Sequence, residues 1–80
     1  MEVTNSTSIE QLNQLIDADP NNIQLLIERG QLYHKMQIWG KALNDFNHVL
    51  ELDPRNQIAC TYKEMATQIL SFRHTDLWNP

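Results

Sequence analysis

The chain has 80 residues, of which 41% are hydrophobic and 20% charged, with a net charge of −4 and an isoelectric point near 5.1. This composition is within the range of globular proteins, and so short a chain allows one small domain at most. The excess of acidic residues argues against nucleic-acid binding, because affinity for a phosphate backbone depends mainly on Lys and Arg.

Nothing in the sequence indicates a membrane span or a secretion signal. No apolar run is longer than Leu25-Leu26-Ile27, whereas a membrane helix needs roughly 20 apolar residues. The first residues, Met1 to Asn5, are acidic and polar, unlike a signal peptide. The single cysteine, Cys60, has no internal disulfide partner and suits a reducing compartment. We therefore expect a cytoplasmic protein without a membrane segment.

Apolar residues recur with helical spacing along most of the chain, and four helices are predicted. The first opens at a capping box formed by Thr7 and Glu10, in which each side chain accepts a hydrogen bond from the other residue's backbone amide. It ends before Pro20. Its apolar face consists of Ile9, Leu12, Leu15 and Ile16.

The second helix is predicted to start at a cap provided by Asn21 or Asn22. Its end, between Met36 and Ile38, is not marked by a glycine. The inner face of this helix carries Ile23, Leu26, Ile27, Gly30 and Tyr33.

The third helix has the clearest amphipathic pattern and stops at Asp53-Pro54. Its apolar stripe consists of Trp39, Ala42, Leu43, Phe46, Val49 and Leu50. Trp39 is predicted to cover the packing seam at the turn between the helices.

The fourth helix is predicted to start after Asn56 and to fade near Arg73. Its apolar residues are Ile58, Tyr62, Met65, Ala66, Ile69 and Leu70. These patterns predict an all-α antiparallel array of about four helices with short connections. Residues 1–6 are expected to be a flexible N-terminus, 7–72 a single helical domain and 73–80 a tail.

Two segments of the chain are alike at a separation of 34 residues, because residues 15–22 align with residues 49–56. A repeat of this length built from two antiparallel helices is typical of tetratricopeptide arrays. Residues 23–56 resemble one complete repeat of that family. Five residues match the family pattern in both spacing and chemistry: Gly30, Tyr33, Ala42, Phe46 and Pro54.

The resemblance implies a right-handed array of helical hairpins. The small residues Gly30 and Ala42 are then expected where the two helices cross, with Tyr33 and Phe46 filling the space on either side. Three residues depart from the family pattern without breaking its packing: Leu26, Arg29 and Val49.

The helices on either side of this repeat match the family pattern only in part. The first helix resembles the second helix of a preceding repeat. In the last helix Glu64 stands where the repeat has Gly30, and a buried unpaired carboxylate is costly. The last helix is therefore interpreted as a terminal cap in which Ala59 and Ala66 pack inward and Glu64 faces water.

The resemblance also implies a function, since arrays of this family are scaffolds that bind peptides or protein surfaces in a concave groove. We expect a non-catalytic interaction module without a cofactor. The groove is predicted to be lined by Gln24, Ile27, Gln31, His34, Ile58, Thr61, Met65 and Gln68. Ile27 and Gln31 stand where chaperone-binding members carry the Lys and Asn that hold a terminal carboxylate, so an extended, mildly apolar segment is favoured. The alternative is that these residues form a solvated helix face.

A self-assembling structural protein is the second function considered. Such arrays need roughly three repeats for stability, and fewer than two are recognised here. A homodimer or larger oligomer through the first or last helix is therefore predicted, with the groove or helical faces occupied by another copy. The alternative, that the chain is part of a longer array, stays open.

Catalytic and metal sites receive little support from the sequence. Cys60 has no histidine three or four residues away and is expected to be an inert, packed thiol. His34, His48 and His74 have no such partner either, which argues against a metal site. Asp45 and His48 are interpreted as an exposed polar pair. The apolar residues of the C-terminal segment, Phe72, Leu77 and Trp78, are predicted to dock back onto the array or onto a neighbouring chain; the alternative is a disordered tail.

Overall fold

The computed structural model describes the backbone of residues 8–78 and the side chains as far as Ser71. This part of the chain contains four helices and no strand, which confirms the predicted all-α fold class. No helix within it is long and apolar enough to span a membrane. The helices are α1 Ile9–Ala18, α2 Ile23–Lys35, α3 Trp39–Leu52 and α4 Gln57–Trp78.

Helix α1 begins one residue later than predicted. Ser8 is the N-cap: its hydroxyl accepts from the Gln11 amide at 3.1 Å, and Gln11 Oε1 accepts from the Ser8 amide at 3.1 Å. The expected pair of Thr7 and Glu10 is therefore wrong, although Thr7 itself lies outside the described residues. An N-cap at Thr7 and an N-cap at Ser8 both fit the capping-box pattern. With Ser8 as the N-cap, Glu10 lies in the first turn, where its negative charge interacts favourably with the helix dipole.

The connections before α2 and α4 share one capping geometry. Asn22 Oδ1 accepts from the Leu25 amide at 3.1 Å, and Asn56 Oδ1 accepts from the Ala59 amide at 2.9 Å. The Asn22 amide group also donates to Asp19 at 3.0 Å, and that of Asn56 to Asp53 at 3.4 Å. The Asp-Pro-x-Asn segments that repeat in the sequence therefore form the same turn twice.

Helix α2 ends without a glycine because another residue adopts the left-handed conformation. Gln37 has φ 64°, a region that is uncommon for a residue with a side chain. The turn is closed by a hydrogen bond of 2.9 Å from the Ile38 amide to the Tyr33 carbonyl. This backbone geometry reverses the chain into α3.

The core is centred on α3, which packs against both α2 and α4, whereas α1 packs on α2. The buried apolar residues are members of the predicted stripes, together with Ala59, which was predicted to pack inward. They are Leu12, Ile16, Leu26, Ala42, Phe46, Val49, Ala59 and Ala66.

The close approach of α2 and α3 depends on Gly30 and the ring of Phe46. A Cβ placed on Gly30 would lie 2.7 Å from Phe46 Cζ. The Phe46 ring is also stacked on Tyr62 of α4, with centroids 5.1 Å apart and an interplanar angle of 17°. Gly30 thus accommodates the Phe46 ring. Tyr33 is partly buried against the same core, and the Lys41 ammonium lies 5.7 Å from the centroid of its ring.

The final helix is longer than its sequence pattern suggests, since α4 continues past Arg73 to Trp78. Ala59 and Ala66 are fully buried against the array and Glu64 is exposed, as expected for a terminal cap. The predicted docking of Phe72, Leu77 and Trp78 concerns side chains outside the described part.

Substituting Gly30→Ala is expected to lower the free energy of unfolding by about 1–3 kcal/mol, because the added Cβ forces the fully buried Phe46 ring to shift. Urea denaturation followed by circular dichroism measures this change. Gly40→Ala is the matched control, since nothing lies within 4 Å of a Cβ at that position. It should leave stability unchanged or raise it by up to about 1 kcal/mol. Equal effects of the two substitutions would contradict the tight Gly30–Phe46 contact.

Candidate functional site

A groove runs between α2 and α4, the first helices of two successive hairpins. It consists of two adjoining cavities of about 560 Å³ and 350 Å³, which share Gln31 and Ile58. The larger is lined by Ile23, Gln24, Ile27, Glu28, Gln31, Asn56 and Ile58. The smaller is lined by Gln31, Gln57, Ile58, Thr61 and Tyr62. We call these residues together the α2–α4 groove.

The α2–α4 groove combines apolar surface with amide groups. Ile23 and Ile27 are partly buried, and Ile58 is 48% exposed to solvent. The side chains of Gln24, Gln31 and Gln57 make no hydrogen bond within the described part of the chain. Each amide therefore offers one acceptor and two donor hydrogens to a ligand. Backbone groups of an extended peptide need such partners when they leave water.

Glu28 is the charged residue of this lining. It lies one helical turn from both Gln24 and Gln31 and so shares their face. The groove attracts cations rather than carboxylates, because none of its described lining residues is basic. Sequence reasoning missed Glu28, although its spacing from Gln24 was a sufficient signal.

The structure brings together five of the eight residues predicted to line the groove: Gln24, Ile27, Gln31, Ile58 and Thr61. Met65 is 37% exposed and lines neither cavity. Gln68 lines a different cavity, between the end of α3 and the other face of α4. His34 is withdrawn from both cavities, and the role of all eight residues in binding stays a prediction.

His34 packs between two aromatic rings at the end of the groove. Its ring is edge-on to Trp39, with centroids 4.7 Å apart, and to Tyr62 at 5.0 Å. Nδ1 is buried and has no hydrogen-bond partner among the described residues. His34 therefore joins α2, α3 and α4 through ring contacts. Trp39 is half-buried at this junction, in agreement with its predicted place at the turn.

His34→Phe is expected to raise the free energy of unfolding by about 1 kcal/mol, since it keeps an aromatic ring and removes an unpaired polar atom. His34→Ala is the comparison variant, and it should lower stability by about 1–2 kcal/mol through the loss of both ring contacts. Thermal unfolding of the three proteins would test this order. A phenylalanine variant less stable than the parent would show that Nδ1 is satisfied in solution.

A polar cluster occupies the opposite face of α2 from the groove, since Arg29 is about 200° around the helix from Ile27. Arg29 Nη2 and Nε donate to the two carboxylate oxygens of Asp45 at 2.7 and 2.9 Å, and Nη1 donates to Asn13 at 2.8 Å. One guanidinium thus joins α1, α2 and α3. The Asp45 side chain is only 6% exposed, and this hydrogen-bonded pairing raises the pKa of Arg29.

This cluster overturns the interpretation of Asp45 and His48 as an exposed pair. Asp45 is buried and bound to Arg29, while His48 Nε2 lies 3.4 Å from Asn21 Oδ1. The two residues are on the same helix, but only Asp45 faces α2. A carboxylate can be buried there because Arg29 supplies two charge-assisted hydrogen bonds.

Asp45→Ala is expected to lower the free energy of unfolding by about 1.5–3 kcal/mol, because the partly buried Arg29 loses its charged partner. The double substitution Arg29→Met with Asp45→Leu should cost less than the single change, since no unpaired charge remains. Chemical denaturation of both variants provides the comparison. An Asp45→Ala variant as stable as the parent would mean that the ion pair is weak in solution.

The groups considered for chemistry do not assemble into a metal site. Cys60 is exposed rather than packed, which corrects the expectation of a buried thiol. It follows the buried Ala59 in sequence but lies about 100° away around the helix, where it lines a cavity together with Leu50 of α3. No group of three or more His, Cys, Asp or Glu side chains able to hold a metal ion occurs in the described residues.

The helix order, the Gly30 contact and the groove between first helices define a helical-hairpin repeat protein. Residues 23–56 match the family model described as tetratricopeptide repeat. This segment spans α2 and α3 and ends in the Asn56 cap. The chain therefore contains one complete tetratricopeptide repeat at residues 23–56, which confirms the resemblance predicted from the sequence. Repeats of this family are in general non-catalytic protein-binding scaffolds.

A curated relative is similar over most of this chain. It is a UDP-N-acetylglucosamine--peptide N-acetylglucosaminyltransferase of Giardia intestinalis, 33% identical over 73 residues. The match covers 90% of this chain and 5% of the relative. The chain therefore spans about one-twentieth of that protein, and the activity in the name is that of the whole protein. No solved structure gives a significant match to the chain.

Proposed function

We propose that this chain is a non-catalytic protein-interaction module that binds an extended segment of a partner protein in the α2–α4 groove. The observation that carries the proposal is the pair of adjoining cavities, in which unengaged glutamine amides stand beside isoleucine side chains. The family match supports a protein partner. The lone cysteine supports a reducing, cytoplasmic setting.

The chemistry of the groove selects the kind of segment. Gln24, Gln31 and Gln57 would pair with the peptide backbone, while Ile27 and Ile58 would cover every second side chain of the segment. Alternate side chains of an extended chain point to opposite sides, so one apolar row suffices. Glu28 favours a neutral or basic segment, and a C-terminal carboxylate would meet no basic group among the lining residues.

A self-assembling structural protein is the second candidate, favoured by the exposure of Leu15. This apolar side chain is 49% exposed on α1, a helix that packs on α2. Another copy that covered Leu15 would remove apolar surface from water. The two candidates are compatible, since α1 does not line the groove.

The peptide-binding proposal is tested with peptides selected from a random library displayed on phage against the full chain. Ile58→Asp should weaken the binding of a selected peptide by at least about tenfold, because it places a charge on the apolar surface of the groove. Isothermal titration calorimetry measures the dissociation constant. Leu52→Asp is the matched control, since Leu52 is 39% exposed and lies outside the groove lining.

A second variant tests the charge of the groove. Glu28→Gln should weaken the binding of a basic peptide and leave a neutral one unaffected. Equal binding by the parent, Ile58→Asp and Leu52→Asp proteins would place the peptide elsewhere and refute the groove as the binding site.

A further inference from the structure

The 34-residue repeat makes α1 the counterpart of α3, and α4 the counterpart of α2. Helix α1 is thus a second helix of a hairpin, and α4 is a first helix. Leu15 corresponds to Val49, yet Val49 is 0% exposed and Leu15 is 49% exposed. Val49 lies on α3, which packs against both α2 and α4, whereas α1 packs on α2 alone among the described helices.

The other half of such a hairpin lies at the far end of the molecule. A cavity of about 530 Å³ is formed by the end of α3 and the face of α4 opposite the groove, and is lined by Leu50, Pro54, Cys60, Lys63, Glu64, Thr67 and Gln68. Five of these residues correspond to α2 residues 34 positions earlier, namely Leu26, Arg29, Gly30, Tyr33 and His34. We call this cavity the α4 end face.

We propose that two copies of this chain join head to tail, with α1 of one copy packed into the α4 end face of the next. The join would complete a hairpin from α4 of one chain and α1 of another, in the arrangement that α2 and α3 have within the chain. The proposal goes beyond peptide binding, because the groove is on another face of α4 and stays open.

The side chains at the join complement each other in size. Within the chain, Leu26 on α2 and Val49 on α3 belong to the same buried core cluster. At the join the corresponding pair is Cys60 on α4 and Leu15 of the second copy. In both pairs one helix contributes a leucine and the other a smaller side chain, but the leucine is on α2 within the chain and on α1 at the join. The two pairs are therefore similar in total volume, and cores tolerate exchanges of this kind. Cys60 and Leu15 are both exposed in the single chain and available for this contact.

Glu64 limits the strength of the join. It corresponds to Gly30, which makes room for Phe46 inside the chain. At the join Glu64 would lie over Leu12, the smaller counterpart of Phe46, which is only 1% exposed and already packed within its own chain. The carboxylate would therefore lose water without gaining a polar partner. The counterparts of Arg29 and Asp45 are Lys63 and Gln11, which lack the full ion pair. The association is therefore expected to be weak and to depend on protein concentration.

A head-to-tail contact differs from a two-fold dimer because each copy uses two different surfaces, so the assembly can continue at both ends. If α1 is blocked in one variant and the α4 end face in a second variant, the two variants can still bind each other through the two surfaces that remain intact. This property gives a direct test.

The test uses the full chain with Leu15→Asp, which blocks α1, and with Thr67→Arg, which blocks the α4 end face. Each residue is exposed, so the helices should be retained, as checked by circular dichroism. In sedimentation velocity over a concentration series the parent should form species larger than a monomer. Each variant alone should stay monomeric, and an equimolar mixture should form a 1:1 heterodimer that grows no further.

Two further variants separate this join from other contacts. Glu64→Ala should lower the dissociation constant of the parent association at least about tenfold, because no carboxylate is buried. Ile58→Asp, which blocks the groove, should leave the association unchanged. Loss of association in Ile58→Asp alone would place the second copy in the groove and overturn the proposal, whereas the peptide titrations judge groove binding independently.

The remaining outcomes also decide the matter. A parent that stays monomeric at every concentration overturns the proposal. Association that is retained in the Leu15→Asp variant and in the Thr67→Arg variant also overturns the proposal. Loss in both variants without recovery on mixing indicates a two-fold dimer. If Leu15→Asp fails to fold, Thr67→Arg and Glu64→Ala still probe the α4 end face, and unchanged association in both rejects it.

Discussion

The stacking of Phe46 between the backbone of Gly30 and the ring of Tyr62 is the contact on which the rest of the structure depends. One side chain of α3 thereby fixes the distance to α2 and the position of α4. Because the ring is rigid and fully buried, neither helix can approach further without a clash. The separation of α2 and α4, and hence the width of the groove, follows from this packing.

The Phe46 contact sets the distance between the helices, whereas a polar cluster sets the orientation of α2. The guanidinium of Arg29 joins Asp45 and Asn13 on the face of α2 that is turned away from the groove. Its planar fork accepts little rotation, so it restrains the rotation of α2 about its own axis. That rotation decides which α2 residues face the groove. The lining of the groove is therefore determined partly by a cluster that lies outside it.

The sequence predicted the helices and the repeat because proline, asparagine and apolar spacing act locally. It did not predict features that depend on residues distant in the chain. Asp45 is buried because Arg29, 16 residues away, is brought to it by packing. The left-handed Gln37 carries no local signal, since glycine is the usual residue there. Gln68 was assigned to the groove by repeat position, but it lines the cavity on the other face of α4.

The same Asp-Pro-x-Asn turn precedes both α2 and α4, which makes the repeat suitable for duplication. Both junctions present the same capped helix start to whatever follows, so residues 23–56 can be duplicated in tandem without designing a new linker. Each added repeat would contain its own Gly30–Phe46 contact and would bury apolar surface against the neighbouring repeat. Longer solenoids made in this way would gain a groove segment per unit, and their stability should grow with length as in a one-dimensional lattice.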